Sequence, residues 1–250
     1  MIIFYIRHGD PIYDPDQLTE LGHAQAEAVS RRFAKYGVDK VYASTSNRAI
    51  QTAMPTCEKL GLELTTLDFL NENDLGGIKL KNAVGKNDWL WSHPEFSEIL
   101  CSREVRTMGD EWYKHPKLAD YHFENVIHPI QKELDKLIAS HGYVHDTEKG
   151  LYRVEKCDTE KKIAIFAHES VGKIVMSHLL DIPYPYYAEH FEMHTSAITA
   201  IFFDVGTSKE PENTPRPYAR ARVMTLSNDA HLYNDEFEPV HRFTHMREIY

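Results

Sequence analysis

The chain has 250 residues, of which 42% are hydrophobic and 26% are charged. This length is sufficient for one large α/β domain with a well-formed core, and the composition excludes a disordered chain. The formal net charge is -10 at pH 7. We therefore expect no nucleic-acid partner and no membrane partner, because both favour a basic protein surface. An anionic substrate would have to be bound by a local cluster of arginine and histidine side chains.

The three cysteines, Cys57, Cys101 and Cys157, lie far apart and form no CxxC spacing. This odd and sparse count indicates reduced thiols in a cytosolic protein rather than a disulfide framework or a zinc site. The opening MIIFYIR has no basic n-region, and its apolar run is too short for a signal peptide. The sequence therefore predicts a cytoplasmic protein without a transmembrane segment.

The first third of the chain has a β-α-β-α-β pattern. The continuous apolar run at residues 1–6 predicts a strand buried on both faces. Helical spacing of apolar residues predicts helices over about 19–36 and 48–60. Short strands are expected at 38–42 and 63–67. This order is typical of a parallel sheet covered by helices.

The regular pattern is interrupted between residues 71 and 122, where glycines, prolines and all three tryptophans indicate an excursion of short helices. The remaining predicted elements are a helix at 123–139, a small surface hairpin at 143–154, a strand at 163–167, a helix at 170–180, and strands at 195–205 and 220–226. We expect a three-layer α/β sandwich with a mostly parallel central sheet. The simplest domain organisation is a single domain over residues 1–250 with an inserted helical cap at about 73–155.

Arg7, His8 and Gly9 stand where the first predicted strand ends, which is where sites form in open α/β sheets. A neutral histidine at this position can attack phosphorus if its other ring nitrogen is held by a backbone carbonyl. Arg7 offers a guanidinium fork for two phosphoryl oxygens. Gly9 allows the backbone to come close to a ligand. Alone, these three residues are a weak signal.

Two further positions strengthen that signal. Arg48 stands in the first turn of the helix after the second strand, where its charge and the free helix amides can both face an anion. His168 follows the predicted strand at 163–167 and also precedes a helix. Two histidines at strand ends, each at a β-to-α turn, are hard to explain by core packing alone.

With these features the chain resembles the histidine phosphatase superfamily, also called the phosphoglycerate mutase-like family. The resemblance rests on the RHG start, on the block LTELGHAQA at 18–26 and on the block STSNRAIQTA at 44–53. It extends over residues 1 to about 77 and 161 to about 205. The three blocks are specific in combination rather than singly.

The resemblance implies a role for each matching residue. His8 is the phosphorylated nucleophile, and Arg7, Arg48 and His168 form the phosphate pocket. Glu72 matches the carboxyl group that protonates the leaving oxygen. The implied enzyme is a metal-independent phosphatase without a cofactor, which hydrolyses a small phosphorylated metabolite through a phosphohistidine.

This sequence departs from the family pattern at two places. Glu169 follows the second histidine where a glycine is common, and it would repel substrate if it pointed inward. The loop after Glu72 is more like that of the mutase branch, and Asp74 and Glu169 are alternative proton donors. A phosphoglycerate mutase-like phosphotransferase and a non-catalytic binding protein are therefore the competing interpretations. A phosphatase is favoured because residues 10–17 contain three aspartates and no basic residue, whereas a mutase needs extra basic groups.

The chain has fifteen histidines, but no HxH or HExxH spacing groups them, so the sequence predicts no metal site. Aromatic residues in the insertion are expected to form the small core of the cap rather than a lid pocket. These residues are Trp89, Trp91, Phe96, Trp112 and Tyr113. The sequence leaves the substrate and the oligomeric state open.

Overall fold

The computed structural model describes residues 1–72, 79–81, 87–89, 93–156, 158–206 and 217–233. Asp74, Trp91 and Cys157 lie outside the described residues, as does the side chain of Trp89. Most of the polar stretch from residue 228 onward lies outside them as well. What the sequence predicts for these positions stays a prediction.

The strands and helices follow the predicted order. In chain order the strands are β1 (Ile2–Arg7), β2 (Pro11–Tyr13), β3 (Asp16–Leu18), β4 (Lys40–Ser44), β5 (Leu64–Leu67), β6 (Lys79–Lys81), β7 (Asn87–Trp89), β8 (Tyr143–Asp146), β9 (Leu151–Val154), β10 (Lys162–Ala167), β11 (Ile198–Asp204) and β12 (Tyr218–Asn228). The helices are α1 (Glu20–Tyr36), α2 (Asn47–Leu60), α3 (Pro94–Leu100), α4 (Arg103–Met108), α5 (Glu124–Ser140), α6 (Glu169–Leu179) and α7 (Tyr184–His190).

The central sheet contains eight of the described strands, in the order β5-β4-β10-β1-β11-β12-β9-β8. The pairings among β5, β4, β10 and β1 are parallel. The pairings from β1 through β11, β12 and β9 to β8 are antiparallel. The predicted α/β fold is confirmed, and its sheet is mixed, with one parallel and one antiparallel half. The parallel half contains the strands that end at Arg7 and Ala167.

Alternating side chains of β1 face two separate parts of the core, as expected for a strand covered on both faces. Phe4 and Ile6 belong to the apolar cluster formed with α1 and α2. Ile3 and Tyr5 belong to the larger cluster formed with α5 and α6. Helices on both sides of the sheet give the three layers predicted from the sequence.

The hairpin predicted over 143–154 is present, but it is not a small surface element. Its strands β8 and β9 extend the central sheet, because β9 pairs with β12. The reason is visible in the side chains: Tyr143 and Tyr152 are both buried and pack against Phe203 of β11. The predicted insertion at 73–155 thus includes segments that belong to the main sheet and core.

The described aromatic residues of the insertion pack into the main core. The Trp112 ring stacks on Tyr184 of α7 with a centroid distance of 5.5 Å and lies 4.8 Å from the ring of Phe123. Phe96 of α3 is also buried. Phe96 of α3 and Val105 of α4 belong to the larger apolar cluster, so both short helices pack on the main core. In the part of the chain that the structure describes, no helix combines the length and apolar composition needed to cross a bilayer.

Candidate active site

The parallel pairing of β1 with β10 brings the two strand-end histidines together. Arg7 is opposite Ala167 in the register, and the His8 amide donates to the Ala167 carbonyl at 2.9 Å. The rings of His8 and His168 are both buried, with their centroids 5.2 Å apart. The two histidines therefore form the floor of one site at the carboxyl ends of neighbouring strands.

The backbone holds the His8 ring in one tautomer. Nδ1 lies 2.7 Å from the Gly9 carbonyl oxygen, and because a carbonyl can only accept, Nδ1 carries the hydrogen. Burial, with the charge of Arg7 and the neighbouring His168, holds the pKa of His8 well below its usual value. The ring is therefore neutral, and Nε2 keeps the lone pair that a nucleophile requires.

Gly9 has a packing role within the fold. A Cβ at Gly9 would lie 2.6 Å from the carbonyl oxygen of Gly22, and a Cβ at Gly22 would lie 2.3 Å from that of Asp10. Both glycines thus allow the loop after β1 to pack against the first turn of α1. The Gly9 amide donates to Thr52 Oγ1 at 2.9 Å, and the Asp10 amide donates to Gln25 Oε1 at 2.7 Å. The motif blocks of α1 and α2 therefore fix the loop that carries His8.

Arg48 lies in the first turn of α2, as predicted, and its buried side chain makes two hydrogen bonds. Nη1 donates to Asp16 Oδ1 at 2.8 Å, and Nη2 donates to Glu72 Oε2 at 3.2 Å. The guanidinium also lies over the Tyr13 ring, 5.3 Å from its centroid. Sequence reasoning missed Asp16 and Tyr13, because nothing in the β2–β3 hairpin indicates that it folds back over Arg48.

His168 contacts Ser44 at the end of β4, with 2.9 Å between Nε2 and Oγ. Its buried Nδ1 has no hydrogen-bond partner among the described residues and lies 3.7 Å from Glu72 Oε2. Burial and the charges of Arg48 and Arg7 hold the pKa of His168 well below its usual value. In the free site the two guanidinium groups therefore disfavour a further positive charge on His168. Ser44 is the hydrogen-bond partner of its Nε2.

Glu72 reaches the same site from the segment after β5. Oε1 accepts a hydrogen bond from the Ser170 amide at 3.1 Å, at the start of α6, and Oε2 accepts from Arg48. The side chain is 13% exposed. These bonds direct the carboxyl group toward the space between the two histidines, where the resemblance requires a proton donor.

Glu169 points toward the site, the orientation in which it would repel substrate, but there it forms an ion pair with Arg7. Its carboxylate forms an ion pair with Arg7 and lies 3.5 Å from Lys173 Nζ. Burial favours the neutral acid, yet Arg7, Glu192 and Lys173 hold the pKa of Glu169 below its usual value. Burial and the hydrogen bond with Glu169 raise the pKa of Glu192 to about 7. Glu169 therefore occupies the Arg7 guanidinium that the resemblance assigns to phosphate.

The turn between α7 and β11 closes the site from the side of β11. Arg7 Nη1 donates to the Met193 carbonyl at 2.5 Å. The Ser196 amide donates to the carbonyls of Arg7 and His8, at 3.1 and 3.0 Å. Gln25 Nε2 donates to Thr195 Oγ1 at 3.4 Å. Thr195 and Ser196 are thus part of the wall that orients the loop carrying His8.

The charge of the site favours an anion. The donor atoms of His8, Glu72 and His168 lie within 4.8 Å of one another, a spacing that a metal ion could use. The charges of Arg7 and Arg48 act on both histidines, and two guanidinium charges oppose a divalent cation while they attract a phosphate dianion. The arrangement is therefore suited to a phosphoryl group.

Comparison with known proteins agrees with this geometry. Residues 3–99 match the family model of the histidine phosphatase superfamily, branch 1. A protein of Hydrogenobacter thermophilus provisionally named phosphoserine phosphatase 2 is 27% identical over 150 residues, which cover 56% of this chain and 68% of that protein. The 2,3-bisphosphoglycerate-dependent phosphoglycerate mutase of Brucella ovis is 30% identical over 135 residues, which cover 50% of this chain and 64% of that protein. The match thus spans about two thirds of each relative.

Solved structures share the fold over most of the chain. A mycobacterial glucosyl-3-phosphoglycerate phosphatase superposes with a TM-score of 0.56 at 16% identity, covering 91% of this chain and 99% of that chain. A phosphoserine phosphatase of Entamoeba histolytica gives a TM-score of 0.56 at 15% identity, covering 92% of this chain and 98% of that chain. At these identities the likeness establishes the fold.

The family model spans the segment that contains Arg7, His8, Arg48 and Glu72. The resemblance found in the sequence is confirmed: residues 3–99 match the histidine phosphatase superfamily, and the chain shares the fold of solved phosphatases.

Proposed function

We propose that this protein is a phosphatase that hydrolyses phosphate monoesters of small metabolites through a phosphohistidine on His8. The observation that carries the proposal is the His8 ring, with Nδ1 fixed 2.7 Å from the Gly9 carbonyl and Nε2 left unprotonated. The charges of Arg7 and Arg48 both act on this ring. A nucleophile beside two guanidinium groups is the arrangement that phosphoryl transfer requires.

In the first step Nε2 of His8 forms a bond to phosphorus while the bond from phosphorus to the ester oxygen breaks. Arg7, Arg48 and His168 donate to the equatorial oxygens, where the transition-state charge lies. Glu72 gives its proton to the departing alkoxide. In the second step water attacks the phosphohistidine, Glu72 takes up the water proton, and the nitrogen–phosphorus bond breaks. The cycle returns free His8 and protonated Glu72.

Substrate binding rearranges two contacts of the free site. Arg48 Nη2 is bonded to Glu72 and Arg7 to Glu169. A phosphate dianion placed above His8 competes for both guanidinium groups, because bidentate arginine–phosphate pairs are strong. The Glu72 carboxyl group is then released next to the ester oxygen that it protonates.

The reaction is proposed to need no metal ion, because guanidinium groups supply the positive charge that Mg²⁺ supplies in other phosphoryl-transfer sites. A cytoplasmic location is part of the proposal and is supported by the free thiols of Cys57 and Cys101. Phosphoserine and 3-phosphoglycerate are the first substrates to test, because similar proteins are named as a phosphoserine phosphatase and have been solved with these ligands.

A mutase activity is the second candidate, because one relative is a 2,3-bisphosphoglycerate-dependent mutase. The β2–β3 hairpin argues against a mutase activity. This hairpin lies over Arg48 and places the acidic Asp16 there, where a second phosphate would require basic groups. Incubation of 3-phosphoglycerate with catalytic 2,3-bisphosphoglycerate separates the two reactions: inorganic phosphate indicates the phosphatase, and 2-phosphoglycerate indicates the mutase.

The phosphohistidine is tested by rapid quenching during turnover of a labelled substrate. We expect base-stable, acid-labile phosphate on the peptide that contains His8. His8→Asn should lose the label and nearly all activity, whereas His23→Asn, in α1, should keep both. A labelled peptide that lacks His8, or a His8→Asn variant with a tenth of the wild-type turnover, would contradict the mechanism.

A further inference from the structure

A second cluster of metal-ligating side chains lies outside the candidate active site. Asp135 of α5, His145 of β8 and His178 of α6 converge, with 2.8 Å between Asp135 Oδ1 and His178 Nε2. His145 Nδ1 lies 3.2 Å from Asp135 Oδ1 and 3.3 Å from His178 Nε2. Sequence spacing could not reveal this cluster, because the two histidines are 33 residues apart.

The separations agree with those of ligand atoms around one metal ion. A tetrahedral ion bound at about 2.0–2.1 Å from nitrogen and oxygen ligands holds those ligand atoms about 3.3 Å from each other. The three measured separations lie within about half an ångström of this value, so the donors can bind one ion with little movement. Three protein ligands leave the fourth position for water.

The surroundings of His145 are those of a ligand histidine. Nε2 lies 2.9 Å from Asp181 Oδ2, and because a carboxylate only accepts, Nε2 carries the hydrogen. Nδ1 is then directed at Asp135 and His178, as in the carboxylate–histidine–metal arrangement. The ring is also stacked on Tyr152, with a centroid distance of 4.5 Å. Both contacts fix the plane of the ring before any ion binds.

The cluster is open to solvent on one side. The His145 side chain is 2% exposed, whereas Asp135 is 37% exposed. His178 and Asp181 also line a cavity of about 180 Å³. An ion can therefore enter from the Asp135 side, and a water molecule can complete its coordination.

This cluster is separate from the phosphate pocket. His168 precedes the first turn of α6 and His178 lies in its last turn, ten residues further on. At the rise of an α-helix this corresponds to roughly 15 Å. An ion here cannot contact the phosphoryl group and would act on the fold.

We propose that Asp135, His145 and His178 form a structural site for a zinc-class divalent ion, oriented by Asp181 and connecting α5, β8 and α6. Imidazole with carboxylate is a ligand set that suits Zn²⁺ and Co²⁺. Binding to the folded protein alone stabilises it. The competing description is an ion-pair network in which a protonated His145 bridges Asp135 and Asp181.

Cobalt titration of chelator-treated full-length protein distinguishes these descriptions, because tetrahedral Co²⁺ has strong visible absorption. We expect one equivalent of Co²⁺ with this spectrum and a higher melting temperature with Zn²⁺. Asp135→Asn and His178→Gln should lose both responses. Asp181→Asn should weaken Co²⁺ binding by about 10–100-fold, the usual effect of an outer partner of a ligand histidine.

Two controls locate the ion. His8→Gln should keep the spectrum, which excludes the active-site histidines as the ligands. His128→Gln, on the rim of the same cavity, should keep it too. The proposal is overturned if the wild type binds no stoichiometric Co²⁺, or if Asp135→Asn and His178→Gln both bind it as tightly as the wild type. The ion-pair network would then describe the cluster.

Discussion

Nη2 of Arg48 donates a 3.2 Å hydrogen bond to Oε2 of Glu72, so the proposed proton donor is held by a side chain proposed to bind phosphate. The two residues come from different parts of the chain, the first turn of α2 and the segment after β5. We therefore expect phosphate binding at Arg48 to release Glu72 from this hydrogen bond. In the proposed mechanism, this coupling places the carboxyl group next to the leaving oxygen only when substrate is bound.

Glu72→Gln is expected to slow hydrolysis of an alkyl phosphate by at least about 10²-fold, the lower end for general acid catalysis. Hydrolysis of a nitrophenyl phosphate should change much less, because its phenolate departs without a proton. The kcat values of the two substrates measure this difference. Glu169→Gln is the matched control and should leave the ratio between substrates unchanged. If Glu169→Gln rather than Glu72→Gln changes the ratio between the two substrates, Glu169 is the proton donor.

Glu169→Gln is expected to improve phosphate binding, because it frees the Arg7 guanidinium from its ion pair. The gain should be about fivefold in the Kd for inorganic phosphate, equivalent to roughly 1 kcal/mol for a partly exposed ion pair. Calorimetric titration measures it. Glu192→Gln keeps the pair between Arg7 and Glu169 and should change the Kd by less than about twofold. Weaker binding by Glu169→Gln would mean that Glu169 positions Arg7 rather than competing for it.

The lowered pKa values of His8 and His168 predict that acid destabilises the fold. Below about pH 6.5 these histidines bind protons in the unfolded chain but not in the folded site. The free energy of unfolding therefore keeps its full value above this pH and decreases as the pH is lowered further. Each histidine should contribute about 1.4 kcal/mol per pH unit until its folded pKa is reached. Urea unfolding between about pH 7.5 and 5.5, which spans roughly one unit on each side of the pKa of an unfolded histidine, measures the slope.

His168→Gln should reduce the dependence of the unfolding free energy on pH by about the contribution of one histidine. His122→Gln, at an exposed position, is the control and should leave it unchanged. Equal slopes for His168→Gln and the wild type would show that His168 is not held neutral in the folded protein.

Exhaustive chelation is expected to leave kcat/KM within about twofold of the untreated enzyme, because the charge of the pocket comes from arginines. Vanadate should inhibit the chelated enzyme by occupying the space between Arg7 and Arg48. Assays before and after chelator treatment, with the protein's melting temperature followed in parallel, separate catalysis from stability. A strict requirement for added Zn²⁺ or Mg²⁺ would contradict the mechanism.

Gly22→Ala is expected to destabilise the protein by about 2 kcal/mol or more, because the new Cβ would lie 2.3 Å from the Asp10 carbonyl. Activity should fall as well, because the same loop carries His8. Glu27→Ala, at an exposed position of the same helix, should change stability by less than about 0.5 kcal/mol. Thermal unfolding and kcat of both variants test this. A Gly22→Ala variant with wild-type stability would show that the loop can move away from α1.

The candidate site could be predicted from the sequence where local patterns are strong. A buried apolar run ending in Arg7 and His8 identifies a strand end, and Arg48 stands in the first turn of the helix that follows the second strand. Carboxyl ends of adjacent parallel strands meet at one edge, so two strand-end histidines predict a common site. The sheet places His8 and His168 with ring centroids 5.2 Å apart.

Contacts between segments distant in the chain were decided by the tertiary structure alone. No periodicity or short spacing in the sequence indicates three of these contacts. They are the hydrogen bond between Asp16 and Arg48, the ion pair between Glu169 and Arg7, and the cluster of Asp135, His145 and His178. The hairpin of β8 and β9 joins the central sheet because Tyr143 and Tyr152 are buried against Phe203. Local patterns report which backbone conformation a segment prefers, whereas side-chain partners and protonation states depend on packing, which brings charges together from the whole chain.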